Sequence, residues 1–320
     1  PDVPVAATAA YVASQIGASN AFAYDLQAAC SGFLYGMSTA AAYISSGRYN
    51  KVLLIGADMM SSIVDYTDRT TCIIFGDGAG AALFEPNTEG YGWEDEYFRS
   101  NGTDRDALRI KAGGSLHPTT QQTLDAGDHF IRQDGQTVYK YAVTEMAHVT
   151  ETMLQRNSLT ASDVSYLVPH QANKRIVDAT AKRLEIHDDK VLMNIAYYGN
   201  TTAATLPLLL NDFENNFIER FDPYGNTNDI DSDIDIILEE ELTWNTGLYY
   251  LNVKKYLPVA GFQNLSDENN SLFQKPGDRP GFFFTPALLL LNEYSNQIIH
   301  FPHTRRKKYN CSEIIAISGK

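Results

Sequence analysis

The chain is 320 residues long, 44% apolar and 20% charged, with a formal net charge of −14, and can bury one large core or two of ordinary size. Its acidity excludes general nucleic-acid binding, which needs a basic face, but leaves room for a local basic patch. Three widely spaced cysteines, Cys30, Cys72 and Cys311, form neither a disulfide framework nor a CxxC metal pattern, so a reducing, cytoplasmic setting is expected.

The first residue is Pro1, with no charged n-region and no apolar h-region after it. No signal peptide is expected, and the start reads as an N-terminal truncation. The run "GFFFTPALLLL" (281–291) is too short to span a bilayer and contains Pro286, so no membrane span is expected either.

In chain order, "AFAYDL" (21–26) reads as a strand, and "SGFLYGMSTAAAYISSG" (31–47) as a helix of small and apolar residues. "KVLLIGAD" (51–58) is a continuous apolar run, the pattern of a strand buried on both faces. "TTCIIFGDGAGAALFEP" (70–86) reads as two short strands around a glycine-rich bend. It is not GxGxxG and no helix follows it, so a nucleotide loop is not indicated. Cys72 reads as core. Roughly 90–135 is loop-rich, and "TVYKYAVTEMAHVTETMLQRN" (137–157) is an amphipathic helix. A strand "VSYLVPH" (164–170), a helix "QANKRIVDATAKRLEI" (171–186), and a strand, loop and helix in "KVLMNIAYYGNTTAATLPLLL" (190–210) complete the series.

Composition breaks near Leu210. Residues 1–210 hold 29 alanines and the last 110 hold three, while asparagine rises from eight to 13. Small residues at helix–sheet contacts suit the first part and not the second. The tail carries an acidic run (228–242) and a basic one (303–310), which read as solvated surface or disorder.

Two units within the first part match. A strand leads to Cys30, a helix follows and the chain resumes at "KVLLIGA"; a strand leads to His170, a helix follows and the chain resumes at "KVLMNIA". Ligands in open α/β sheets collect where strand C-termini meet helix N-termini, so duplicated units would bring Cys30 and His170 together. A helix N-terminus favours a thiolate, and Gly32 with Ala28 and Ala29 leaves space for a substrate. The same local pattern suits a small buried hydrophobe. His170 follows Pro169, which places it on a turn, where it can equally cap the next helix. Asn200, after a glycine and before a Thr-Thr helix start, fits an N-cap or turn residue. The other histidines have no metal-ligand spacing.

Taken together, "DLQAACSGFLYGM", "LLIGAD", "FGDGAGAALFEP", "LRIKAGGS", "VPHQANKRIVDATAKRL" and "YGNTTAATLPL" make residues 1–210 similar to the ketoacyl-acyl-carrier-protein synthase III family. These condensing enzymes start type II fatty acid synthesis. The resemblance implies an α/β, thiolase-like fold with duplicated halves. Residues 1–90 are then the remainder of the cysteine half, 91–210 the His/Asn half and 211–320 an unassigned tail.

The resemblance also implies a Cys30–His170–Asn200 triad. Cys30 takes an acyl group from coenzyme A; malonyl-acyl carrier protein then loses carbon dioxide, and His170 and Asn200 hold the oxygen on which charge develops. The coenzyme A thioester is a substrate, and neither a metal nor a redox cofactor is required. Arg175, Lys182 and Arg183 match basic positions that meet the acidic carrier or its phosphopantetheine, and Phe33 and Asn173 are expected to line the tunnel. A homodimer is implied too. On residues alone, Asp178 lies four residues from Lys174 and from Lys182, so this helix face also fits plain surface ion pairs.

The family normally has further strands and helices before the cysteine segment. It also has a glycine-rich "GGGFTWG" strand after the asparagine helix, one glycine of which supplies an oxyanion N–H. Here "LTWNTGLYYL" (242–251) echoes that strand faintly, and Glu239, Glu240 and Glu241 stand where glycines are expected. The alternatives are a polyketide-type starter ketosynthase, or a non-catalytic fragment or fusion carrying a tail that is unrelated or read in another frame.

Overall fold

The computed structural model describes residues 2–87, 92–221, 234–241, 245–253, 281–286 and 313–318. Helix α1 (Thr8–Gln15) precedes strand β1 (Ala21–Leu26). The Asp25 carboxylate of β1 accepts the backbone N–H groups of Thr8 and Ala9 at 2.9 and 2.8 Å, satisfying two of the four orphan donors at that helix start. A 3₁₀ turn (Ala29–Ser31) leads into α2 (Gly32–Ser45), followed by β2 (Lys51–Asp58), β3 (Gly78–Asn87) and β4 (Gly92–Ser100). Then come β5 (Leu108–Ile110), α3 (Gln121–Asp125), β6 (Ile131–Gln133), α4 (Gly135–Arg156), β7 (Tyr166–Pro169) and α5 (Lys174–Arg183). Short helix α6 (Ile195–Tyr198), a 3₁₀ turn (Thr202–Ala204) and α7 (Thr205–Phe221) follow, and the described strands beyond are β8 (Ile234–Glu241), β9 (Asn245–Val253), β10 (Gly281–Pro286) and β11 (Glu313–Ser318).

Two sheets carry the architecture. The first has the order β1-β11-β2-β3-β10, the second β4-β9-β8-β7, and β5 and β6 make a separate ribbon. Strand β11 runs antiparallel to both β1 and β2, with Ala316 opposite Ala23 on one side and Leu53 on the other. Helices α2 and α7 lie between the sheets, α1 covers the outer face of the first, and α4 with α5 covers the outer face of the second. The result is five layers, helix–sheet–helix–sheet–helix.

The main core fills the middle layer. Phe33, Leu34 and Met37 of α2 pack with Val52 and Leu54 of β2, Val168 of β7 and Leu206 of α7. Each such side chain stabilises the fold by about 1.5–3 kcal/mol when buried. Ile55 points the other way, onto Ala9 of α1, so β2 is buried on both faces, as its unbroken apolar run requires. The composition change near Leu210 falls inside α7.

Several expectations are corrected. No strand forms ahead of the glycine-rich stretch beyond one bridge, Phe75 to Asn200. Asp68 accepts Thr70 N–H and Oγ1–H on its side chain, and Cys72 N–H on its carbonyl, which winds residues 69–74 into turns. The glycines are not a bend between strands, because Gly78 and Gly80 lie within β3. A Cβ at Gly80 would stand 2.7 Å from Pro207 Cβ, so the missing side chain lets α7 approach the sheet. "KVLMNIA" forms no strand beyond one bridge, Leu167 to Val191; Asn194 and Ile195 N–H bond to Gln171 Oε1 instead, starting α6. The two matched units are also not equivalent, since α2 lies between the sheets and α5 outside them. Cys72 is partly buried, against Met60, Ile63, Val64 and Ile131. The acidic run is not loose surface, since its residues 234–241 form β8, between β9 and β7 in the second sheet. Cys311 and the basic run lie outside the described residues.

Candidate active site

Cys30 sits in the 3₁₀ turn between β1 and α2 and is 5% exposed. The turn is sharp because Ala29 has φ +49°, in the left-handed region that costs an alanine on the order of 1 kcal/mol. This backbone places Cys30 two residues before a 14-residue helix, whose dipole favours negative charge at that end.

His170 directly follows β7 and is 1% exposed. Its Nδ1 lies 2.6 Å from Thr205 Oγ1, at the first position of α7. Nε2 is buried without a hydrogen-bond partner. Burial pulls the imidazole pKa down to about 3, so the ring is neutral at pH 7. The loop behind it is braced by Gln171, whose Nε2 donates to Pro169 O at 2.8 Å and whose Oε1 accepts Asn194 N–H at 3.0 Å.

Asn200 follows Gly199, which has φ +68°. Its N–H donates to Ile74 O and its carbonyl accepts Gly76 N–H, both at 2.9 Å. The side-chain Oδ1 accepts Thr202 N–H at 2.9 Å, which leaves the Nδ2 amide as the end not used by the turn. Thr202 has φ +51°; its hydroxyl and Ala203 N–H both donate to Asp58 Oδ2 at the end of β2.

Cys30, His170 and Asn200 line one cavity of about 450 Å³, together with Leu108, Val138, Tyr139, Asn173 and Arg175. The cavity therefore joins a neutral imidazole, a carboxamide and a thiol at a helix start, the groups that acyl transfer through a thioester requires. Asn173 accepts Arg175 N–H at 2.9 Å and caps α5. The Arg175 guanidinium lies over the Tyr139 ring, 5.7 Å from its centroid. Phe33 is fully buried in the middle-layer core and is not among the residues lining this cavity, because its position on α2 faces β2. Lys182 and Arg183 are exposed on α5, outside the cavity wall. Arg183 Nε is 3.4 Å from Glu151, and Lys174 Nζ is 2.8 Å from both Asp178 oxygens, so part of this face does form ion pairs. Among the described residues no cluster suits a metal ion.

The sequence pattern assigns no role to Asp58, Gln171 or Thr205, and marks Ala29 only as small and Thr202 only as part of a helix start. Only Asp58 had a visible signal, a carboxylate ending an apolar strand. Strand β8 runs parallel beside β7 with Glu239 opposite Pro169, and β8 and β9 both approach the Cys30 turn.

Residues 24–102 match the family model for 3-oxoacyl-[acyl-carrier-protein (ACP)] synthase III, and residues 154–222 match its C-terminal counterpart. Beta-ketoacyl-[acyl-carrier-protein] synthase III 2 of Bacteroides thetaiotaomicron is 52% identical over 214 residues, 67% of this chain and 64% of that protein. The synthase III of Chlorobaculum tepidum is 53% identical over 216 residues, 67% of this chain and 66% of its own. The crystal structure of 3-oxoacyl-(acyl carrier protein) synthase III from Pseudomonas aeruginosa superposes with a TM-score of 0.69 at 32% identity, covering 80% of this chain and 75% of that one. The chain belongs to the beta-ketoacyl-[acyl-carrier-protein] synthase III family. Its five layers are the thiolase-like α/β fold of those synthase III structures. It spans just under two thirds of the length of the curated synthase III relatives it matches. Among the described residues, no helix is long and apolar enough to cross a membrane.

Proposed function

We propose that this synthase III chain primes fatty acid synthesis by joining an acyl-coenzyme A starter to malonyl-acyl carrier protein. The observation that carries the reading is the convergence of Cys30, His170 and Asn200 on one cavity. The His170 Nε2 lone pair takes the Cys30 proton as sulfur bonds to the acyl carbon and the bond to the coenzyme A sulfur breaks. The departing thiolate takes its proton from water. Burial by itself keeps His170 neutral, so the imidazolium is held by the charge developing on the malonyl thioester oxygen. To that oxygen it presents Nε2–H, and Asn200 its Nδ2–H, while carbon dioxide leaves. The carbanion attacks the acyl-cysteine, the 3-ketoacyl product forms, and the proton returns from His170 to sulfur. Removing one such oxyanion donor costs about 3 kcal/mol of barrier, or a hundredfold in rate.

By the same reading no metal or redox cofactor is needed, the chain pairs as a homodimer, and it works in the cytoplasm. The polyketide-type alternative is not favoured, because the curated relatives at 52–53% identity carry the synthase III name. Residues 1–90, 91–210 and 211–320 are proposed as cysteine half, His/Asn half and an additional tail.

Intact-protein mass spectrometry after incubation with acetyl- and longer acyl-coenzyme A tests the first half-reaction. One acyl adduct, absent from Cys30→Ala, is expected. Folded protein that takes no adduct from any donor would sink the reading and favour a non-catalytic role.

A further inference from the structure

We propose that Thr205 is a positioning residue that fixes His170 as the Nδ1–H tautomer, and that Thr202 and Asp58 hold Thr205's partner in place. The inference rests on the reading of His170 as the group that takes the Cys30 proton, and it adds what sets that group's protonation.

The Thr205 hydroxyl has two polar neighbours and one hydrogen to give. Thr205 Oγ1 lies 2.9 Å from Thr202 O and 2.6 Å from His170 Nδ1. A hydroxyl has one hydrogen to donate, and a carbonyl can only accept. The hydrogen therefore goes to Thr202 O, and Oγ1 must accept from the ring, so Nδ1 carries the proton. The other assignment sets two lone-pair oxygens against each other at 2.9 Å in a site where Thr202 and Thr205 are 3% and 2% exposed. Water cannot relieve that repulsion, and it stands even though Thr202 O also accepts the Thr205 backbone N–H.

The Thr202 carbonyl is not free to turn away. Its residue is held in the left-handed region at φ +51°, with its hydroxyl and the next N–H both on Asp58 Oδ2. Its own N–H is on Asn200 Oδ1. One anchored turn thus orients both partners of Cys30: it commits the oxygen of Asn200, and through Thr205 it commits Nδ1 of His170. A neutral ring protonated at Nδ1 has a bare Nε2, and that atom is buried with no hydrogen-bond partner beside the cavity. The opposite tautomer would place a hydrogen at Nε2 and leave nothing to receive the thiol proton. No bond other than the hydrogen bonds changes in this step, so Thr205 acts through His170 and does not touch substrate.

The tautomer is read directly by long-range proton–nitrogen NMR of the full chain labelled with ¹⁵N-histidine, with His170 assigned by its loss in His170→Gln. Nδ1–H is expected in the wild type and in Thr205→Ser, which keeps the hydroxyl. Thr205→Val, close in shape but without a hydroxyl, is expected to lose that preference. Thr205→Ala takes its place if the valine variant does not fold. Iodoacetamide alkylation of Cys30, located by peptide mass, should slow by about a hundredfold in the hydroxyl-free variant, the scale of a lost general base, and Thr205→Ser should restore it. Nε2–H in the wild type, or Nδ1–H persisting without the hydroxyl, overturns the proposal. Neither readout uses a thioester substrate, so failure here is distinguishable from failure of the condensing reading.

Discussion

Gly56 of β2 lies directly against Ala203: a Cβ added at Gly56 would stand 2.5 Å from the Ala203 carbonyl oxygen and 3.0 Å from Phe33 Cδ2. Neither neighbour can yield easily, since one is backbone of the Asn200 turn and the other is core. Gly56→Ala is expected to cost about 1–3 kcal/mol, the range for overpacking, and to shift the turn that orients Asn200. Gly114, with nothing within 4 Å, is the control, and Gly114→Ala should stay within about 0.5 kcal/mol. Denaturant midpoints of the two variants check both. Equal midpoints would mean that the sheet and the turn are not in contact as described.

Gln171 ties the loop after His170 to the segment that starts α6. Its side chain serves Pro169 O, Asn194 N–H and Ile195 N–H in a fully buried position. Gln171→Leu fills the space but leaves those backbone groups unpaired, each costing about 1–3 kcal/mol. The expected result is a loss of several kcal/mol in unfolding free energy. A loss of less than about 1 kcal/mol would show that solvent replaces the amide.

Most of the first 210 residues was legible because the signals are local. The apolar run at Lys51–Asp58 and the amphipathic repeat of α4 follow from burial periodicity. Cys30, His170 and Asn200 stood out because each sits at a strand or helix junction. The turn chemistry was not legible. Asp68 winding residues 70–72, and Gln171 capturing the N–H groups of 194 and 195, are side-chain-to-backbone bonds between segments whose contact the sequence does not declare. Thr205 was hidden for the same reason: a threonine at a helix start reads as a cap, and only the fold brings it to His170, 35 residues away. The tail's strands were illegible because β8 and β11 pair with distant partners and carry no turn signal that fixes their register.

His170 also gives the fold a pH dependence. Its pKa is pulled by burial from 6.5 to about 3, so the unfolded chain binds a proton that the folded chain refuses. Stability from this group is full above pH 6.5 and falls as pH drops from there toward 3. Between pH 7 and pH 5 the loss assignable to His170 is about 2 kcal/mol. Urea unfolding at both values, for the wild type and His170→Gln, isolates it. The variant should show a drop smaller by that amount, and parallel drops would place the ring in contact with water.

Arg175 and Arg183 share helix α5 but not surroundings. Both are exposed, but Arg175 lines the cavity and lies over Tyr139, whereas Arg183 stands outside it beside Glu151. If the anionic carrier substrate enters at this cavity, the charge at its wall acts on the docked state, and the ion-paired charge on the helix flank acts chiefly on encounter. Arg175→Ala is therefore expected to raise the KM for malonyl-carrier by about tenfold, an effect of about 1.4 kcal/mol, and to keep part of that effect at high salt. Arg183→Ala should have a smaller effect that vanishes as ionic strength rises and screening shortens. Starter acylation of Cys30, measured by mass, should change little in Arg183→Ala. Equal, salt-sensitive effects of the two substitutions would mean that both arginines only steer, and that the carrier's path to Cys30 does not pass Tyr139.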